Sequence, residues 1–107
     1  MIPSIGRIVR YRLGEQSAVE IERRRADARA SAISSQHTGA IVHVGNPVRA
    51  GDVYPMMITR VWDEDPTEDT CVQGQVFLDG NDVLWVTSVR QGDAEYQWSE
   101  PVRTAAR

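Results

Sequence analysis

Two histidines, His37 and His43, and a single cysteine, Cys71, are the side chains best suited to ligate a metal or attack a carbon. They do not converge along the chain. The histidines lie six positions apart across a polar stretch, and no second cysteine forms a pair. Zinc sites normally bring closer ligand pairs. The residues read instead as two surface histidines and a small apolar thiol. Asp63, Asp65, Glu68 and Asp69 gather carboxylates, which is calcium chemistry, but their spacing departs from a twelve-residue calcium loop and its sixth-position glycine is missing. A solvated acidic loop is expected there. Nucleophilic catalysis needs a nucleophile, a base and an orienting group. Pairing Ser35, Ser88 or Cys71 with a histidine would be arbitrary. Gly39, Gly45 and Gly51 have no lysine and no strand–loop–helix setting to cradle a phosphate. No catalytic residue, metal ligand or cofactor-binding residue is assigned, and the chain is expected not to be an enzyme.

The arginines offer a second chemistry. All 12 basic residues are Arg, set against 15 acids for a net charge of -3. Residues 7–29 hold seven Arg and four acids, a balance of +3, whereas residues 49–107 hold five Arg and eleven acids, a balance of -6. Such polarity suits self-association or orientation on a charged surface, and equally an ordinary mixed surface. Arg23, Arg24, Arg25 and Arg29, with Tyr96 and Trp98, form the candidate interaction surface, because Arg and aromatic residues dominate interface energetics. The same arginines admit nucleic-acid binding, with Tyr11, Tyr54, Tyr96 and Trp98 as stacking residues. The negative total and the neighbouring Glu20, Glu22 and Asp27 speak against it. Trp62 and Trp85 are expected to pack in the core.

The elements that must position these residues are mostly strands. In a first strand over 5–13, Ile5, Arg7, Val9, Tyr11 and Leu13 share one, mostly apolar, parity. Ser17-Ala18-Val19-Glu20 matches a capping box and predicts a helix over 17–33, supported by alanine content and by Glu20 and Arg24 at i,i+4. Its apolar side is shallow, and its second half is expected to be marginal in isolation. A short strand over 40–44 precedes the Gly45-Asn46-Pro47 turn. A strand over 53–62 carries apolar residues on both faces and is expected to be central. The strongest signal is a hairpin of 72–78 and 83–89 around Asp79-Gly80-Asn81-Asp82, with Val72, Gly74, Val76 and Leu78 facing inward. A last short strand over 95–98 leads into a loose tail from about 100.

The whole amounts to one domain of 107 residues, with hydrophobic residues at 41% and charged residues at 25%. That excludes compositional disorder. No stretch approaches the roughly 20 apolar residues that span a bilayer. The opening residues do not read as a signal peptide, no membrane partner is expected, and a lone cysteine fits a reducing compartment. The fold class expected is mainly β with one helix: a five-stranded SH3-like barrel with the helix inserted after the first strand. An OB-like barrel and an open α+β sheet are the alternatives, closure being favoured because it removes exposed edges.

Several strings carry a resemblance. Met1-Ile2-Pro3-Ser4-Ile5-Gly6-Arg7-Ile8-Val9-Arg10-Tyr11 opens the chain. His43-Val44-Gly45-Asn46 and Ala50-Gly51-Asp52-Val53-Tyr54-Pro55-Met56 lead into Thr59-Arg60-Val61-Trp62. Gly74-Gln75-Val76-Phe77-Leu78-Asp79-Gly80-Asn81-Asp82 and Leu84-Trp85-Val86-Thr87-Ser88-Val89 follow. As a set they resemble a family of small uncharacterised proteins encoded by tailed phages and prophages. The resemblance spans most of the chain apart from the end of the helix, the acidic loop and the last residues. It implies a phage protein made in the bacterial cytoplasm, staying there or joining the virion, and it carries no catalytic or binding residues. The function expected is a non-enzymatic interaction or structural module that binds a protein partner or itself. A nucleic-acid-binding accessory protein and an unrecognised small enzyme are the alternatives.

Overall fold

The computed structural model describes residues 1–34 and 44–102, with the side chains of 32–34 left aside. His37, His43, most of the expected 40–44 strand and the end of the tail lie outside the described residues. The elements run β1 (Ile8–Arg12), α1 (Glu15–Ser34), β2 (Val53–Val61), β3 (Val72–Phe77), β4 (Val83–Val89) and β5 (Trp98–Ser99). The strands form one five-stranded antiparallel sheet in the order β4-β3-β2-β1-β5. This is the mainly-β class with one helix after the first strand. The sheet is not closed. Among the described residues a lone parallel bridge, Gln91 to Trp98, links the chain beyond β4 to β5.

Strand alternation divides the sheet into a buried and an exposed face. Val9, Tyr11 and Leu13 of the first strand region, Met56 and Ile58 of β2, and Val72, Val76 and Leu78 of the hairpin are all buried. Tyr11 lies deep enough that burial, followed by the nearby Tyr96, pushes its phenol up to about 12. Gly74 keeps this side flat: an added Cβ would come within 2.6 Å of Met56 Cγ and 2.7 Å of the Met57 carbonyl.

Two irregularities override simple alternation. The β2–β3 register shifts between Ile58 and Arg60, where Arg60 pairs with Gln73. The extra residue leaves both Thr59 and Arg60 exposed, although Arg60 shares the parity of buried Met56 and Ile58. The β3–β4 register shifts between Val72 and Gly74, opposite Thr87 and Ser88. Ser88 takes a left-handed φ of 53°, and Val89 turns inward while Thr87 and Ser88 stay exposed. Bulges of this kind add a residue on one strand and re-aim those that follow.

The tryptophans are arranged opposite to expectation. Trp98 is 0% exposed, because its pairing with Tyr11 places it on the inner side of β1. Trp62 and Trp85, expected in the core, are 52% and 59% exposed. Trp85 lies on the outward parity of β4, and Trp62 follows the bulge beside Arg60.

The helix begins two residues earlier than the capping box predicts. Ala18 N–H donates to the Gly14 carbonyl at 3.0 Å, and Gln16 N–H donates to the Tyr96 hydroxyl at 3.0 Å. One of the orphan amides of the first turn is thus satisfied by a side chain 80 residues away. Gly14 makes this possible, since a Cβ there would overlap the Tyr96 ring. Glu20 is free of capping duty and pairs with Arg23 at 3.1 Å rather than with Arg24.

Arg25 ties the helix to the sheet. Its side chain is 1% exposed, the second correction to the candidate surface. It donates to Asp82 at 2.9 and 3.3 Å, to the Leu78 carbonyl at 2.8 Å and to the Asn46 carbonyl. Cβ atoms on Gly45 or Gly80 would each come within 2.9 Å of its Nη2, so both glycines let backbone close over the guanidinium. Arg24 adds a further bond to Asp82 at 2.9 Å. Burial pushes the Asp82 carboxyl up, but the hydrogen bonds and charges of Arg25 and Arg24 outweigh it and hold the group below the usual carboxylate range. A depressed folded-state pKa gives stability that is complete above the unfolded carboxylate value, about 3.9, and is lost as pH falls through the folded one. Asp82→Ala strands the buried guanidinium and is expected to cost about 3 kcal/mol in urea unfolding at neutral pH. Its deficit against wild type should shrink below about pH 4. An equal deficit at pH 3 and pH 7 would contradict the ion pair.

Candidate interaction surface

The inner face is closed by core, but among the described residues no helix or strand covers the outer face of the same sheet. Across its middle run Ile8, Met57, Gln75 and Trp85, linked by the pairings Ile8–Met57, Met57–Gln75 and Gln75–Trp85. The next row runs through Arg10, Pro55, Phe77 and Val83, with Arg10 opposite Pro55 and Phe77 opposite Val83. Ile8, Met57, Phe77, Val83 and Trp85 are all exposed large apolar side chains. Four strands at about 4.8 Å spacing make this face about 14 Å wide. A contiguous apolar area of this kind, rimmed by polar groups, marks an interaction site more often than scattered exposed residues do.

The rim is cationic. Arg10 stands at one end, and the β2 bulge brings Arg60 to the other, its guanidinium 4.5 Å from the centroid of the Trp62 ring. Arg12 shares the outward parity of β1, but its guanidinium is held by the Asp93 and Gly51 carbonyls at 2.9 and 2.8 Å. No outward-facing position within the five strands carries a carboxylate. Among the described residues neither Arg10 nor Arg60 has an ion-pair partner.

The residues singled out from sequence are not gathered here. Arg25 and Trp98 are buried, and Arg24 is committed to Asp82 and the Val83 carbonyl. Arg23 pairs with Glu20, and Arg29 is exposed on the projecting half of the helix, where residues 26–31 are all exposed. Tyr96 is partly exposed and holds the helix N-terminus with its hydroxyl. The arginine run is therefore spread over a buried clasp, a paired flank and a solvated end. The outer face escaped sequence reasoning because it depends on which parity each strand turns inward.

Elsewhere the surface offers shallow grooves. One, about 740 Å³, lies between the first half of α1 and Leu84, lined by Glu15, Gln16, Ser17, Val19, Glu20 and Arg23. Among the described residues no group of three His, Cys, Asp or Glu side chains could hold a metal ion. No helix among them is long and apolar enough to cross a membrane.

No protein-family model matches the chain, and neither the curated proteins nor the solved structures contain a match to it.

Gln75 is the one polar residue in the central row. Its Oε1 is shielded from solvent and has no hydrogen-bond donor among the described residues. A shielded acceptor without a donor costs about 1–3 kcal/mol. Gln75→Leu is expected to raise stability by about 1 kcal/mol, read as a higher urea midpoint at unchanged slope. A lowered midpoint would show that the glutamine stabilises the sheet.

Proposed function

We propose that this chain is a non-enzymatic protein-interaction module of phage origin that binds through the outer face of its sheet. The observation that carries the reading is the exposed apolar centre of that face, Ile8, Met57, Phe77, Val83 and Trp85, rimmed by Arg10 and Arg60. Exposing so much apolar surface forgoes about 25 cal/mol per Å², a gain that a docked partner would recover. An SH3-like small barrel, opened along one seam, is the architecture we favour. The last strand returns beside the first, and the Gln91–Trp98 bridge brings the end of β4 toward β5. The phage setting follows the sequence resemblance, with the protein acting in the bacterial cytoplasm or on the virion.

Nucleic acid is the less favoured occupant. Trp85 and Phe77 could stack bases, but the centre is mainly aliphatic and the chain carries a net charge of -3. A photo-reactive phenylalanine analogue at position 77, in the protein made in its bacterial host together with its neighbouring genes, is expected to give discrete protein adducts. The same probe at Val19, exposed on the helix, should give none. Adducts from position 19 and none from position 77 would overturn the reading.

A further inference from the structure

We infer that the outer sheet face of one copy seats the acidic segment 62–69 of a second copy, so that the chain assembles head to tail. This rests on the reading of that face as the binding surface and names its occupant.

Charge selects the occupant. The face carries Arg10 at one end and Arg60 at the other and has no carboxylate in its strands, so two such faces stacked directly would oppose arginine to arginine, with Asp63 and Glu64 only at the margin, in a groove beside Arg60. Like charges across an interface disfavour that pairing. The complementary chemistry lies on the same chain. Asp63, Glu64, Asp65, Glu68 and Asp69 fall within seven residues and follow the exposed Trp62. Glu68 pairs with the N-terminal amine at 3.3 Å. Glu64, Asp65 and Asp69 are exposed and have no cationic partner among the described residues.

The segment is also held in shape. Asp65 N–H donates to Asp63 Oδ1 at 3.1 Å, Thr67 N–H to Thr70 Oγ1 at 2.9 Å, and Asp69 N–H to Thr67 Oγ1 at 3.2 Å. A preorganised segment loses less conformational freedom on docking. It joins the ends of β2 and β3, and the Glu68 ion pair fixes it to the N-terminus. In the structure it lies at the end of its own sheet and leaves the central row exposed, so the copy that fills this face in the inferred contact is a second one. The contact joins two different patches, so it propagates into a ring or an open filament rather than stopping at a symmetric dimer.

Sedimentation velocity on the full chain tests this. Wild type at about 50 mM salt should sediment above monomer mass, and association should weaken at least tenfold at about 500 mM salt through screening. Trp85→Ser removes the largest exposed apolar side chain of the face, and the triple variant E64Q/D65N/D69N removes the three carboxylates of the segment that have no cationic partner among the described residues, leaving Asp63 and Glu68. Each alone should be monomeric. Their mixture retains one intact face and one intact segment, so it should form a 1:1 dimer and no larger species. That dimer also shows that both variants fold. A monomeric wild type, or a mixture that stays monomeric, overturns the inference. If the triple variant associates like wild type while Trp85→Ser does not, the face is a binding surface and the acidic segment is not its occupant. If Trp85→Ser associates as well as wild type, both readings fall. A wild-type complex that forms only with added single-stranded oligonucleotide also overturns the inference.

Discussion

The buried guanidinium of Arg25 is the contact on which the arrangement turns. It reaches the hairpin turn through Asp82 and Leu78 and the 44–46 segment through Asn46, so three stretches distant in sequence meet on one side chain. The helix otherwise offers the sheet little, since Ala18 and Ile21 are its buried apolar residues among those described. A buried ion pair is poor evidence of net stability, but it fixes position, because the charges have few other places to be satisfied. Held in this way, the helix stays against the inner side and leaves the outer side of the same sheet uncovered.

That one-sidedness has a physical origin in the chain's size. A domain of this length buries only about two thirds of its unfolded surface. The inner side gathers the large aliphatic residues together with Tyr11 and Trp98, and among the described residues no second layer covers the other face. The two bulges sharpen the division. One brings Arg60 outward and the other turns Val89 inward. The result is a core on one side and an apolar surface with cationic ends on the other.

Much of the framework was legible in the sequence. The hairpin, the inward set of Val72, Gly74, Val76 and Leu78, the parity of Val9, Tyr11 and Leu13, and the helix after the first strand follow from period and turn chemistry. What was hidden depends on distant partners. The helix starts at Glu15 because Tyr96 reaches it from near the other end of the chain. Arg25 is buried because glycines at 45 and 80 allow backbone to close on it. Trp98 is internal because a two-residue strand returns beside β1. Local pattern says which residues share a face, but only the assembled sheet says which face is covered, and the binding surface follows from that choice.

The adjacent methionines Met56 and Met57 test the central claim most directly, because they differ only in the face they occupy. Their methyl signals can be followed by NMR with a soluble paramagnetic agent while protein concentration is raised. The account requires strong broadening at Met57 and the Trp85 indole in dilute protein, with Met56 spared, and protection of Met57 and Trp85 as copies associate. Equal broadening of the two methionines, or Met57 protected at every concentration, would contradict it.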